Sequence, residues 1–450
     1  MAVPPTSEPR SAPTRRWVRF LPGAGGILSE PWNLRLSKPK RRCLDRYHHA
    51  HGATSGRDGE PLSSARSSFS MRVTTDSARP PRRQPVPAPS GSRRRERDMA
   101  TYIFAGGGSA GHALPGIRIA ETMREQGHNA VLVGSRASIE ERLCAHYGLP
   151  FHAVTTGRLS RARKLSVFGA AFRTLQGALQ ARAILRRIRP DGVFSSGGFA
   201  SVPVVLAARS LGVRPIVTHA CDLGPGLANR MCLPLSTHLT CTFADTCKAF
   251  PKGNFVGPIV DPAILARDDD AAPRKGKPRL LVYGGSLGAA AINDKLRRSL
   301  PELLPDFDVF HVCGQGRLDA GLDGLGGYEQ HEYVMAFSDV LKASDIAICR
   351  GGSGSLWELV LTGTPHLAVP LPLSVSRGDQ IENCRHFERR GATRWMDQDT
   401  FLAAPLAPAL RELWAGRDTI RAAMRAITPE RPAAQAVSDI LQGHLHADRH

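Results

Sequence analysis

Three glycine-rich segments, each following an apolar run, carry the strongest chemical signal in this 450-residue sequence. The turns cover residues 106–112, 284–288 and 351–354, after the runs 102–105, 280–283 and 346–349. Glycine lets a chain turn sharply and approach a ligand closely. A helix that begins at such a turn directs free N–H groups at an anion. One such turn can serve packing alone, but three on strand ends predict a diphosphate ligand in a cleft.

Polar side chains beside these turns suit a sugar nucleotide. Glu358 lies one helical turn beyond the third set of glycines, where a carboxylate can accept hydrogen bonds from a ribose diol. Gln380 and Asn383 lie near the start of a further helix and offer neutral hydrogen-bonding groups. His112 ends the first glycine turn, where it can act as a base, as a donor to a diphosphate, or only as a helix cap. The aspartates at 268–270 lie in a polar linker, so we expect no metal-ligand set and no cofactor.

The order of elements predicts an α/β fold. From Met99 onward, apolar runs alternate with helical patterns at a spacing typical of a doubly wound parallel sheet. The pattern restarts at residue 280, after a stretch rich in proline, glycine and charge at 251–279. We therefore predict two Rossmann-like domains, an N-terminal one at 99–258 and a C-terminal one at 259–450, facing a cleft.

Composition excludes several classes of protein. No run of 18 apolar residues occurs, so we expect no membrane span. The start lacks the apolar core of a secretory signal. The nine cysteines include no C-x-x-C pair, which argues against a disulfide framework or a zinc site and for reduced thiols.

Residues 1–98 differ in composition from the rest of the chain. They hold 20 Lys or Arg against 8 Asp or Glu and 13 of the 34 prolines, and no helical or strand period persists there. We interpret this segment as a disordered basic extension. Its alternatives are an arm for nucleic acid or membrane, or an over-extended start site, and we favour the start site. No nucleic-acid partner is expected.

A basic and apolar segment lies at 158–189, with nine Arg or Lys and no acidic residue. Within it an apolar stripe recurs at helical spacing, formed by Leu165, Phe168, Phe172, Leu175 and Leu179. The stripe can pack against the sheet. It can equally lie in the surface of an anionic membrane, with its aromatic rings in lipid and its arginines at the headgroups.

In combination these motifs resemble the MurG family of N-acetylglucosamine transferases, from about residue 99 to the C-terminus. The resemblance is carried by GGGSAGHALPG at 106–116, SGGFASVP at 196–203, GGSLGAAAIN at 284–293, and RGGSGSLWE and RGDQIEN within 350–383. It implies the GT-B fold, with UDP-N-acetylglucosamine on the C-terminal domain. It also implies that the acceptor is undecaprenyl-diphospho-N-acetylmuramoyl pentapeptide (lipid I), met at the cytoplasmic face of the membrane by a peripheral protein.

The resemblance assigns roles residue by residue. Ser286 would contact the donor phosphates together with Ser109, Ala110 and Gly111, and the Val334 backbone would read the uracil edge. Glu358 would hold the ribose and Gln380 the sugar hydroxyls, with Asn383 close by. The nucleotide would be lined by Ser353, Gly354, Ser355, Leu356 and Trp357. The stripe at 165–179 matches the family's membrane-associating patch.

Two positions depart from the family pattern. Relatives carry His-Glu in the loop where this chain reads His219-Ala220-Cys221-Asp222. Asp261 stands where the family has an arginine placed to meet phosphate. A carboxylate cannot do that work, so either another basic residue substitutes or donor affinity is altered. His219 and Asp222 remain weaker candidates for acceptor binding or proton removal.

The implied reaction is attack by the C4 hydroxyl of the muramoyl sugar on the anomeric carbon of GlcNAc, with inversion and loss of UDP. A GT-B transferase with another acceptor, a UDP-sugar epimerase and a non-catalytic sugar-nucleotide binder are the alternatives. No carboxylate cluster suited to an epimerase occurs, and the basic apolar stripe favours a lipid-borne acceptor. The departures at Ala220 and Asp261 keep the binder open.

Overall fold

The computed structural model describes residues 99–157, 166–224, 226–248, 250, 253–265, 276–285 and 288–443, with the backbone alone at 166–168. The basic extension 1–98 and the aspartates at 268–270 lie outside the described residues.

Two sheets, parallel throughout their described pairs, organise this part of the chain. The first holds β1 Thr101–Ala105, β2 Asn129–Ser135, β3 Phe151–Val154, β4 Gly192–Ser195, β5 Ile216–Ala220, β6 His238–Cys241 and β7 Gly253–Phe255. The second holds β8 Arg279–Tyr283, β9 Asp308–Val312, β10 Tyr328–His331, β11 Ile346–Cys349, β12 His366–Ala368 and β13 Arg394–Trp395. Their strand orders are β3-β2-β1-β4-β5-β6-β7 and β10-β9-β8-β11-β12-β13. The predicted pair of Rossmann-like units is confirmed.

Helices cover both sheets, which explains why the central strands β1, β4, β8 and β11 are buried at nearly every position. We call the parts of the chain built around the first and the second sheet the first and the second half. The helices of the first half are α1 Ala110–Glu125, α2 Ile139–His146, α3 Ser166–Ile188, α4 Ser201–Ser210, α5 Leu227–Cys232 and α6 Ala244–Lys248. Then follow α7 Pro262–Leu265, α8 Ala290–Leu303, α9 Phe337–Lys342, α10 Ser353–Thr362, α11 Asp379–Glu388, α12 Gln398–Ala403, α13 Leu406–Ala415, α14 Arg417–Ile427 and α15 Ala433–Leu441. Short 3-10 turns occur at Leu233–Leu235 and Ala320–Leu322.

The first glycine turn is shorter in the structure than the sequence predicts. The sequence places a turn over 106–112, whereas α1 already begins at Ala110. Pro115 is the sixth residue of this helix and removes one intrahelical hydrogen bond, because it has no N–H to donate to the Gly111 carbonyl. Ala110, Gly111 and His112 are therefore helical residues at the positive end of α1.

The C-terminal helix returns to the first half. Val437 and Leu441 of α15 are buried in the same apolar cluster as Met123 of α1. The Ser438 hydroxyl donates to Gln126 Oε1 at 2.7 Å. Residues 433–441 lie within the predicted second domain, 259–450, and in the structure they pack on the first half.

The chain therefore passes twice between the two halves, once after β7 and once after α14. The two passages touch: Gly257 has φ +83°, and a Cβ placed there would lie 3.0 Å from Pro429 Cγ. The left-handed backbone and the close contact both require glycine at this position.

Candidate active site

The first glycine turn is held by side chains that the sequence analysis did not single out. A Cβ at Gly106 would lie 2.1 Å from Ser196 Oγ, and one at Gly107 would lie 2.3 Å from Glu140 Oε1. Glu140 is buried and accepts hydrogen bonds from the Gly108 and Ser135 backbone N–H groups at 3.3 and 3.2 Å. The glycines are needed because Glu140 and the end of β4 press against this turn.

His112 lies in the first turn of α1, half-buried and oriented by β4. Its Nδ1 is 3.2 Å from the Ser196 carbonyl oxygen, and the Ser196 hydroxyl donates to the His112 carbonyl at 2.5 Å. Since a carbonyl only accepts, Nδ1 carries the hydrogen of the neutral ring. Nε2 has no hydrogen-bond partner among the described residues and is then the basic atom. This arrangement suits a general base.

His219 has a different environment. Its side chain is fully buried, with Nδ1 3.0 Å from Thr240 Oγ1 and Nε2 2.9 Å from Thr242 Oγ1. Burial, and then the neighbouring His112, lower the pKa of His219 to about 3. A neutral ring with both nitrogens occupied cannot accept a proton from a substrate, so we correct the candidate role of His219 to a structural one.

A pocket of about 330 Å³ lies between the two halves. Its walls combine the turn after β4 and the loop after β5 with the segment before α11. It brings together three residues singled out from the sequence: His112, Asp222 and Gln380. Its remaining lining residues are Gly197, Gly198, Phe199, Cys221, Gly224, Gly226, Leu227, Ala228, Asn229, Leu371, Ser376, Arg377 and Asp379.

Asn229 is a lining residue that the sequence analysis missed. It is 5% exposed, and its Nδ2 donates to the His219 carbonyl at 3.1 Å. Its Oδ1 is buried and has no hydrogen-bond partner within the part of the chain that the structure describes. An unpartnered buried acceptor is costly unless a ligand or water satisfies it, so the atom marks this wall as a polar contact surface.

Asn383 and Gln380 have different surroundings on α11. Asn383 is fully buried and donates through Nδ2 to Asp222 Oδ1 at 3.3 Å and to the Gly351 carbonyl at 3.2 Å. It therefore joins the third glycine turn to the first half. Its Oδ1 is buried without a hydrogen-bond partner among the described residues, and its predicted binding role stays a prediction. Gln380 accepts from the Leu371 N–H at 2.9 Å, and its Nε2 keeps no partner among the described residues.

The third glycine turn leads into α10. A Cβ at Gly351 would lie 2.7 Å from Cys384 Sγ, so close packing of α11 requires glycine. Ser353 and Ser355 occupy the first helical turn, and Gly354 is exposed. Leu356 and Trp357 are buried among apolar side chains of the second half. The predicted nucleotide contacts of Leu356 and Trp357 stay a prediction, which concerns their backbone atoms because their side chains lie in this core.

Glu358 is the half-buried acid of α10. Burial raises its pKa to about 7; nearby Arg118 opposes this shift and Asp261 adds to it. Its carboxylate forms no hydrogen bond with a described residue. A carboxylate without a protein partner beside a helix N-terminus suits hydroxyl donors from a ligand.

The remaining predicted donor contacts that the structure describes are not among the residues lining this pocket. Ser109 and Gly111 are exposed and Ala110 is half-buried at the start of α1. Val334 is half-buried in the loop before α9 and packs against the second core. Ser286 lies outside the described residues.

Both halves of the chain are similar to known proteins of one family. Residues 102–238 match the model of the glycosyltransferase family 28 N-terminal domain, and residues 279–441 match its C-terminal domain. A protein of Lachnospira eligens is 38% identical over 327 residues, covering 71% of this chain and 92% of that one. A protein of Legionella pneumophila (strain Lens) is 35% identical over 359 residues, covering 78% and 99%. Both are named UDP-N-acetylglucosamine–N-acetylmuramyl-(pentapeptide) pyrophosphoryl-undecaprenol N-acetylglucosamine transferase.

The chain belongs to the MurG family. It is thus a glycosyltransferase, and solved structures agree on the fold. Acinetobacter baumannii MurG is 23% identical, with a TM-score of 0.60 and coverage of 76% of this chain and 99% of that one. The calicheamicin glycosyltransferase CalG4 is 17% identical, with a TM-score of 0.58 and coverage of 77% and 98%. The predicted GT-B architecture is confirmed.

The family's arginine position is occupied differently in this MurG-family chain. Asp261 pairs with Arg118 of α1 at 2.6 Å. The carboxylate is therefore balanced by a cation from the first half instead of facing an anionic ligand alone. The sequence does not indicate this pair because 143 positions separate its members.

The apolar stripe of α3 faces solvent. Phe172, Leu175 and Leu179 are 68%, 61% and 63% exposed, whereas Ala181 and Leu185 of the same helix are buried. The alternative prediction, that these three residues pack against the sheet, is therefore wrong. Leu165 and the side chain of Phe168 lie outside the described residues. Among the helices that the structure describes, none is both long and apolar enough to cross a bilayer.

Proposed function

We propose that this protein transfers N-acetylglucosamine from UDP-N-acetylglucosamine to the C4 hydroxyl of the muramoyl sugar of lipid I, giving lipid II for peptidoglycan synthesis. The proposal is carried by the pocket in which His112 of the first half and Gln380 of the second half meet. The substrates in the printed names of the relatives agree with it.

His112 is the base in this proposal. Its Nε2 takes the proton of the C4 hydroxyl while the oxygen forms a bond to the anomeric carbon of GlcNAc. The bond from that carbon to the phosphate oxygen breaks, and UDP departs with the electron pair. Attack from the face opposite the leaving group inverts the anomeric centre. Asp222 lines the same pocket and would orient the acceptor sugar.

The donor would lie along the second half. Helix N-termini meet the charge that develops on the diphosphate, so the reaction is proposed to use no cofactor and no metal. The Gln380 amide would bind GlcNAc hydroxyls, Glu358 the ribose and the Val334 backbone the uracil. Backbone groups at 109–111 and 353–357, with Ser286, would complete the donor site.

The exposed stripe of α3 would place the enzyme on its lipid substrate. Phe172, Leu175 and Leu179 form a contiguous apolar surface on a helix that also carries basic residues. Such a surface suits the interface of an anionic membrane. We propose peripheral attachment at the cytoplasmic face, where UDP-sugars are found.

One assay tests the reaction. The full chain is incubated with labelled UDP-GlcNAc and a short-chain lipid I analogue, and with an analogue whose muramoyl C4 hydroxyl is replaced by hydrogen. We expect labelled disaccharide product from the first acceptor and none from the second. Binding of UDP-GlcNAc without transfer to lipid I would refute the transferase and leave a sugar-nucleotide binder.

A further inference from the structure

The loop before α11 forms part of the pocket wall on the side of the second half. We call its residues 371–378 the rim loop; Leu371, Ser376 and Arg377 of this loop line the pocket. The loop is held by its own hydrogen bonds. The Ser376 hydroxyl donates to the Leu371 carbonyl at 3.2 Å and accepts from the Gly378 N–H at 3.2 Å. Arg377 is therefore presented by a preformed turn, which reduces the entropic cost of binding a ligand.

Arg377 is an exposed cation at the edge of the pocket. Of the described residues that line this pocket, it is the only lysine or arginine. Its guanidinium forms no hydrogen bond and no ion pair with a described residue. A guanidinium presents a planar set of N–H donors that matches the oxygens of a phosphate group. The side chain therefore suits an anionic group of a ligand in this pocket.

Two carboxylates restrict where that anionic group can lie. Asp222 and Asp379 also line the pocket, and each repels an anion. Asp222 Oδ1 already accepts from Asn383 Nδ2 at 3.3 Å. The anionic group is therefore expected beside Arg377, at the rim loop. A hydroxyl or amide N–H of the same ligand can satisfy Asn229 Oδ1, which is buried and has no donor within the described part of the chain.

Exposed apolar side chains flank the cation on both walls of the pocket. Leu373 and Val375 of the rim loop are 67% and 63% exposed. A Cβ at Gly378 would lie 3.1 Å from Leu373 Cδ2, so the Leu373 side chain lies against the residue that follows Arg377. On the opposite wall, Leu227 lines the pocket and is 38% exposed. An anion site bordered by exposed apolar groups suits a diphosphate that carries a hydrocarbon chain better than the diphosphate of a nucleotide.

We propose that Arg377 binds the diphosphate of the lipid acceptor, with Leu373 and Val375 against the first prenyl units of its chain. The inference rests on the proposed function, in which the acceptor is lipid I. The diphosphate is attached at C1 of the muramoyl sugar, and C1 and C4 lie on opposite sides of the pyranose ring. Arg377 and His112 would therefore hold opposite ends of one sugar, and the contact at C1 would direct the C4 hydroxyl to His112.

Binding of geranyl diphosphate to the full chain, measured by calorimetry, tests this site without catalysis. The probe has the diphosphate and a short prenyl chain but no sugar. We expect Arg377→Gln to weaken its binding about tenfold, because one charge-assisted contact is lost. Arg377→Lys keeps the charge and should weaken it less. Binding of UDP should be the same in both variants as in the unaltered protein. Leu373→Ser should weaken binding of geranyl diphosphate several-fold and leave binding of inorganic pyrophosphate unchanged.

The transfer assay adds a kinetic readout. Arg377→Gln should raise KM for a short-chain lipid I analogue about tenfold, with KM for UDP-GlcNAc and the unfolding temperature unchanged. The matched control is Arg389→Gln. Arg389 is exposed, follows α11 and is not among the residues lining the pocket, so its replacement should leave both KM values and the binding of geranyl diphosphate unchanged.

Several outcomes overturn the proposal. Weaker binding of UDP to Arg377→Gln, with unchanged binding of geranyl diphosphate, would assign the cation to the donor. An equal loss in Arg389→Gln would show a general effect of charge. Unchanged binding and unchanged KM in Arg377→Gln would refute the site outright. If the unaltered protein transfers nothing to the lipid I analogue but binds geranyl diphosphate through Arg377, the proposed function is refuted and the diphosphate site stands.

Discussion

Replacing Glu358 by glutamine is expected to stabilise the unliganded protein, although the same change weakens donor binding. The pKa of this acid is raised from 4.5 to about 7 by burial. An acid with a raised folded-state pKa costs nothing below pH 4.5, where it is neutral in both states. The folded state loses stability as pH rises from about 4.5 to 7, and the full penalty persists above that range. At about 1.4 kcal/mol per pKa unit, the penalty is on the order of 3 kcal/mol.

The assay is urea unfolding of the full chain without ligand, at pH 5 and at pH 8. Glutamine keeps the shape of the side chain but never ionises, so Glu358→Gln should unfold with a free energy about 2–3 kcal/mol higher at pH 8 and less than 1 kcal/mol higher at pH 5. Glu412→Gln, on an exposed residue of α13, should show no gain at either pH. Equal stability at pH 8, or an equal gain at both pH values, would refute the argument from burial.

Three further changes test the site and the surface. His112→Ala should lower kcat by about 100-fold with little change in unfolding temperature. The control His152→Ala, on an exposed histidine of β3, should leave kcat unchanged. Near-normal turnover of His112→Ala would exclude a base at this position. His219→Ala should lower the free energy of unfolding by about 2–4 kcal/mol, because it leaves a cavity and two unpaired threonine hydroxyls, and a loss of turnover at unchanged stability would restore its catalytic candidacy. Phe172→Ser should reduce sedimentation with anionic vesicles several-fold, whereas Leu318→Ser, 53% exposed in the second half, should not; equal effects would show that the stripe has no special affinity for lipid.

The features that the sequence predicted are local ones. An apolar run, a glycine turn and a helical period lie within about fifteen residues, so β1, β8 and β11 and the helices behind their turns could be identified. The short strands β6 and β12 could not be identified, because their sequences HLTC and HLA include polar residues and lack the continuous apolar run of β11. The pairing of Gln380 with the His112 pocket follows from the shared carboxyl edges of parallel sheets.

Burial of individual polar residues could not be predicted in the same way. His219 lies at the end of a strand, where a catalytic residue is expected, but Thr240 of β6 and Thr242 just after β6 lie against its two ring nitrogens. The burial of Asn383 could not be predicted either, because it results from the packing of α11 against the third glycine turn. Such contacts depend on residues far apart in the chain, and a single sequence does not record them.

The contact between Gly257 and Pro429 has a mechanical consequence. Two covalent connections that lie side by side form a hinge between the halves. Such a hinge permits rotation about one axis and opposes sliding and twisting. A larger residue at Gly257 would be strained by its positive φ and would press on Pro429. The same geometry means that cutting the chain after β7 does not yield an independent first half, because the severed fragment lacks α15, which seals its core.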